Sequence, residues 1–135
     1  MIHLLDTNSC IDHLRRGAAS PVTARLAVAP PGSVVLCSIV VAELPYGAHR
    51  SANAARNLSL VQAFCRQFIS FPFNDSTAEE YGRVRAHLFG LGTLIGPNDL
   101  LIAAIALANN LTLVTHNTAE FSRVPGLALE DWQIP

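Results

Sequence analysis

Read for the spacing of its apolar and polar positions, the 135-residue chain alternates short apolar runs with longer segments of helical period. "IHLL" (2–5) predicts a buried strand, and "TNSCIDHLRR" (7–16) a helix closed by Gly17. Ser20 and Pro21 have the N-cap and first-turn identities of a second helix over 20–29, which Pro30-Pro31-Gly32 breaks. "SVVLCS" (33–38) reads as a second strand. The helix after it carries Glu43 towards Arg50. Pro45 inside that helix predicts either a late start, near Val41 or Ala42, or a kink. Residues 53–68 have one apolar face made of Leu58, Val61, Phe64, Cys65 and Phe68. "ISFPF" (69–73) is a short strand that Pro72 assigns to a sheet edge. Ser76 and Glu79 have capping-box spacing at the head of a helix over 76–92. Gly96-Pro97-Asn98-Asp99 opens the most apolar helix, which ends near Asn109-Asn110. "LTLVTH" (111–116) is a strand, "NTAEFSRVPGL" a turn with a short helical piece, and "ALEDW" a last strand.

Strands this apolar, alternating with helices, predict an α/β fold. We expect a single domain over residues 1–135, with a central, mostly parallel twisted sheet of about five short strands and helices on both faces. In such sheets ligands gather outside the carboxyl ends of the strands. The chain has no internal repeat or linker.

Composition narrows the chemistry. Half the residues are hydrophobic and only 14% are charged, so some apolar surface is expected to be covered by a partner or a second copy. The segments around Leu44 to Ala48 and Leu58 to Phe68 are the expected patches. Net charge is −1 and all nine basic residues are arginine. The lack of lysine excludes Schiff bases and P-loop phosphate sites. Cys10, Cys37 and Cys65 are scattered and odd in number, which indicates reduced thiols and neither a zinc site nor a disulfide framework. "MIHLLDTN" meets an acid too early for a signal peptide, and the charge-free stretch from Leu100 to Leu113 is too short to span a bilayer. The expected location is the cytoplasm, with no membrane partner.

Against this apolar background four acids stand out. Asp6 ends the first strand, Glu43 lies among Val40, Val41, Ala42 and Leu44, Asp99 heads the most apolar helix, and Glu120 follows "LTLVT". Each has a modest structural alternative. Asp6 suits an N-cap, Asp99 a first-turn acid facing the helix dipole, and Glu120 a surface loop. Glu43 has no charge partner among its neighbours, and an unpaired buried acid is costly. If the four converge at one strand-end edge they repel, and a divalent cation relieves the repulsion. Oxygen-only ligands favour Mg²⁺ or Mn²⁺ over zinc. The matching chemistry is phosphodiester hydrolysis without a covalent protein intermediate.

"LLDTN", "SIVVAELPYGA", "GPNDLLIAAIA" and "LVTHNTAEFSRVPGL" resemble, in order and spacing, the motifs of PIN-domain ribonucleases, and among them the VapC toxins of VapBC toxin–antitoxin modules. The resemblance covers nearly the whole chain. It implies a Mg²⁺- or Mn²⁺-dependent endoribonuclease acting on RNA, transfer RNA among the candidates. It also implies a homodimer held inactive by a VapB-type antitoxin. Position by position Asp6, Glu43 and Asp99 match the three core acids, with Asp6 and Asp99 as the metal ligands; Glu120 is the candidate fourth catalytic acid, and Asn8, Ser38, Thr115 and Asn117 are candidate polar residues around them. Two departures stand out. Many relatives have an aspartate where this chain has Asn117, which leaves the fourth role open between Asn117 and Glu120, three residues on, the acid of one branch of the family, and Pro45 follows the glutamate unusually closely.

Two rival readings remain at this stage. A phosphatase or receiver-like domain with Asp6 as nucleophile lacks a lysine and a second acid beside Asp6. A catalytically inactive PIN-like module that binds RNA or protein would keep the acids for structure alone. Arg15-Arg16, Arg83/Arg85 and His49-Arg50 read as solvated helix faces, His116 as a rim residue and Trp132 as a packing anchor.

Overall fold

A computed structural model describes residues 1–134. Five short strands form one sheet: β1 (His3–Leu5), β2 (Val34–Cys37), β3 (Ser70–Phe71), β4 (Thr112–Val114) and β5 (Leu129–Glu130). Their order is β3-β2-β1-β4-β5, and every pairing is parallel. The register sets Leu4 opposite Val35 on one side and Leu113 on the other. Leu4, Leu5, Leu36, Leu113 and Val114 are wholly buried, which is why these runs carry no alternating polar face.

Paired helices make the crossovers: α1 (Thr7–Arg16) with α2 (Pro21–Val28), α3 (Ser38–Arg50) with α4 (Ala54–Cys65), and α5 (Asp75–Gly90) with α6 (Pro97–Ala108). The short α7 (Thr118–Phe121) links β4 to β5. Parallel crossovers are right-handed, so α1 to α4 cover one face while α5 to α7 cover the other. The chain therefore changes face between β1 and β4. The segments leaving these two strands diverge and open a crevice at their carboxyl ends, the place where open α/β sheets bind ligands.

The local signals act where the pattern places them. Gly17 ends α1 at φ 52°, a conformation that costs glycine little. Ser20 caps α2 through the Val22 amide, with Pro21 in its first turn. β3 is an edge strand and Trp132 is buried. Cys10 and Cys37 are buried, Cys65 is half-buried, and all three are free thiols.

Three expectations need correction. α3 does not start late: it begins at Ser38, directly after β2, and runs through Pro45 to Arg50. Packing of Val40, Leu44 and Ala48 into the core outweighs the amide that Pro45 cannot give Val41. α5 is capped by Asn74, which accepts from the Thr77 amide and hydroxyl, and not by Ser76. The expected apolar patches are also smaller. Leu44, Ala48, Val61 and Phe64 turn into the core, leaving Tyr46 and Leu60 outside, and the larger exposed set is Phe89, Leu91 and Leu94 after the body of α5.

Candidate active site

Each of the four acids reaches the crevice from a different element. Asp6 leaves β1 and is buried as the N-cap of α1, its Oδ1 accepting from the Ser9 amide at 2.8 Å. The structural and chemical readings of Asp6 are thus compatible, because a cap uses one oxygen. The Thr115 side chain, at the end of β4, lies beside this carboxylate and favours its charged form. Glu43 lies in the second turn of α3. It is half-buried and well served: Oε1 accepts from the Thr7 hydroxyl at 2.5 Å and Oε2 from the Asn98 amide at 3.1 Å. The sequence expectation of a glutamate enclosed by aliphatic neighbours fails here, since polar partners arrive from α1 and α6. Asp99 is in the first turn of α6. Glu120, in α7, accepts from the Gly96 amide at 2.8 Å and the Asn117 side chain at 2.9 Å. A Cβ placed on Gly96 would stand 3.5 Å from Asp99 Oδ2 and 3.8 Å from Glu120 Oε1, so Gly96 lies against both carboxylates.

The electrostatics follow from this placement. Asp99 is pushed up to about 6, first by burial and then by Glu120, Asp6 and Glu43. Burial also raises Asp6, against the hydrogen bonds from Thr115 and Ser9, and Glu43 adds to the rise. Glu120 moves the other way, held low by the Asn117 side chain and the Gly96 amide. Among the described residues, no arginine or histidine forms an ion pair with any of the four.

Asp99 yields a prediction. Its folded value of about 6 exceeds the unfolded value of 3.8. Between these values the folded chain holds a proton that the unfolded chain has lost. Stability without metal therefore falls as pH rises from about 4 to 6 and stays reduced above that. Asp99→Asn removes the penalty. Without added metal, the variant should be more stable by ~1–2 kcal/mol at pH 7.5, once solvent screening of a half-buried group is allowed for, and should show no advantage below pH 4. Calorimetric melts across this range check it; a variant that melts below the parent at pH 7.5 contradicts the electrostatic account.

Of the polar residues expected around the acids, Thr115 holds Asp6 and Asn117 holds Glu120. Ser38 does not join them, because its hydroxyl accepts from the Phe73 amide. Asn8 is exposed, and the residue beside Glu43 is its neighbour Thr7. One step along a helix turns a side chain by about 100°, enough to exchange these roles. Thr7, Ser9, Asn98 and the Gly96 amide are partners that sequence reasoning missed. Their only signal was adjacency to Asp6 and Asp99.

Among the described residues, no three Asp, Glu, His or Cys side chains close into a ready-made metal cage. The donor set still suits a hard cation that keeps its waters, since such ions take only one or two carboxylates. Asp99, repelled by Glu120, Asp6 and Glu43, stands at the centre of that charge, and none of the four forms an ion pair among the described residues.

The family model of the PIN domain matches residues 3–127, so the fold and the crevice are those of a PIN-domain protein. Ribonuclease VapC2 of Rickettsia felis is 39% identical over 132 residues, covering 98% of each chain. The tRNA(fMet)-specific endonuclease VapC of Shigella flexneri is 37% identical over 129 residues, covering 96% of each. A chain of the solved structure of DNA-bound VapBC from Salmonella typhimurium superposes with a TM-score of 0.91 at 34% identity, covering 98% of each chain. The chain belongs to the PIN-domain family, among its VapC ribonucleases.

Proposed function

We propose that this ribonuclease hydrolyses RNA phosphodiester bonds at the crevice between β1 and β4, with Asp6 and Asp99 as ligands of bound Mg²⁺ or Mn²⁺. The observation that carries the reading is the gathering of four carboxylates, none of them in an ion pair among the described residues, at the point where the sheet changes face. When bound, a divalent ion supplies the positive charge that phosphate hydrolysis needs. The chain's own residues do the positioning. Ser9 and Thr115 orient Asp6, Thr7 and Asn98 fix both oxygens of Glu43, and Gly96 and Asn117 keep Glu120 ionised beside Asp99. Transfer RNA is the substrate class to test first, given the name of the Shigella relative.

A partner antitoxin completes the reading. A groove of about 180 Å³ runs between α1, α3 and α4, lined by Ile11, Leu14, Leu44, Leu60 and Val61, with Glu43 on its wall. It suits an apolar antitoxin segment that ends in a basic side chain near the acids, in keeping with VapBC pairing in the Salmonella structure. The exposed Phe89, Leu91 and Leu94 suit a second copy of the chain. Among the described residues no helix is long and apolar enough to cross a membrane, which fits action on RNA in the cytoplasm.

Two measurements test this. The purified chain should cleave transfer RNA with Mn²⁺ and stop when the metal is chelated. Co-expression with the small protein encoded beside it should give a stable complex in which cleavage falls. Cleavage that survives chelation removes the metal from the mechanism, and a complex as active as the free chain removes the antitoxin from the groove.

A further inference from the structure

Adjoining the antitoxin groove along α1, and sharing Ile11 and Arg15 with it, lies a second cleft, of about 510 Å³, lined also by Asn8, His116, Asn117 and Gln133 together with the paired Asp12 and Arg16. We propose that this cleft carries the RNA strand beside the acids, with Arg15 on a backbone phosphate and His116, fixed by Asp131, on the neighbouring nucleotide. The proposal rests on the ribonuclease reading above and adds the chain's own substrate track to it.

The cleft adjoins the site at Asn117, although none of the four acids lines it. Asn117, on its wall, holds Glu120, while Thr115, one residue before His116, holds Asp6 and accepts from the Asn117 amide. Asn8 is two residues from Asp6. A strand lying in the cleft would therefore pass beside Asn117, the residue that holds Glu120. RNA also needs such a track, because four carboxylates repel a polyanion and the chain as a whole carries no positive excess.

Arg15 is the cation available for it. Asp12 and the Ala19 carbonyl hold Arg16, and Ser20 also donates to Asp12, so that pair is closed on itself. Arg15 is exposed and, among the described residues, has no acidic partner. It follows Asn8 and Ile11 at seven and four residues, which places the three on one face of α1 running away from the Asp6 cap. An unpaired arginine in a polar cleft suits a phosphate, which its planar fork can bind bidentately.

His116 shows a different sign of construction. Its side chain is 62% exposed, yet its Nδ1 is tied at 2.8 Å to Oδ2 of Asp131, whose side chain is only 10% exposed. The other oxygen of Asp131 accepts from the Gln133 amide, which fixes the carboxylate. A rim histidine needs no such support. A carboxylate on Nδ1 selects the ring orientation and leaves Nε2 free to meet a ligand. Asp131 is then a positioning residue acting through His116.

The test uses anisotropy of a fluorescein-labelled single-stranded oligoribonucleotide bound to the full chain. Asp99→Asn is the parent, so that no strand is cut during the measurement. Adding Arg15→Gln should raise Kd about tenfold and lower the slope of log affinity against log salt by about 0.7, the share of one phosphate on a single strand. Arg15→Lys should restore most of the slope. Arg16→Gln, which breaks the closed pair, should stay within about twofold of the parent. His116→Ala and Asp131→Asn should each raise Kd about threefold, and the double variant should do no worse than either, because they act as one unit. Melting curves report any loss of folding separately. The proposal is overturned if Arg15→Gln leaves affinity and slope unchanged, if Arg16→Gln costs as much, if the His116 and Asp131 effects add, or if the parent does not bind the oligonucleotide. Failure of the nuclease reading itself shows elsewhere, as absence of Mn²⁺-dependent cleavage by the unsubstituted chain.

Discussion

Asp6→Asn and Asp99→Asn should each give a folded protein whose Mn²⁺-dependent RNA cleavage is reduced about a thousandfold or more. The magnitude follows from losing metal-supplied charge stabilisation worth several kcal/mol, at about 1.4 kcal/mol per tenfold in rate. The fold survives for a specific reason in each case. Asn caps helices as well as Asp, so the bond from the Ser9 amide to position 6 is kept. Asp99 loses a favourable place in the first turn of α6 but also its repulsion from Glu120, Asp6 and Glu43. A second readout separates a lost ion from a damaged fold. Mn²⁺ at a hundred times its Kd should stabilise the parent by about 2.7 kcal/mol, and neither variant should show that gain. If either variant cleaves at the parent rate, or keeps the full Mn²⁺ stabilisation, the assignment of that residue is wrong.

Glu120→Gln should reduce cleavage about 10- to 100-fold, the range expected when a residue that orients a metal site is lost, and Asn117→Ala should cost distinctly less. The ranking follows from the hydrogen bonds. Glu120 brings charge to Asp99, and the Gly96 amide holds its Oε1 whether or not Asn117 is present. Asn117 contributes one neutral bond to the other oxygen. On this ranking the carboxylate one helical turn on from Asn117 would take the fourth role, with the asparagine as its support. Single-turnover rates of the two variants check this, and the reverse order would return the fourth role to position 117.

Much of this protein was legible along the chain because the determinants are local. The strands are short β-rich runs bounded by turn residues, Ser20 and Pro21 start α2, and Gly17 stops α1. The acids were legible for a related reason: a carboxylate at the end of an apolar run contrasts with its neighbours wherever the chain later goes. The alternation of strand and helix also implied a parallel sheet and a strand-end site.

Tertiary structure decided what each acid touches. Glu43 is held from residues 36 and 55 positions away, and Glu120 from one 24 positions away, separations at which no periodicity carries information. It also decided which of two adjacent polar residues serves the site, giving Thr7 rather than Asn8 to Glu43 and spending Ser38 on Phe73. α3 continues through Pro45 because core packing outweighs one missing backbone bond, and Leu44 and Val61 turn inward while Phe89 and Leu91 remain outside. A sequence states which groups are present and the local backbone they prefer. The crossing of elements at the point where the sheet changes face sets their distances, burial and charge, because those quantities depend on neighbours that are remote along the chain.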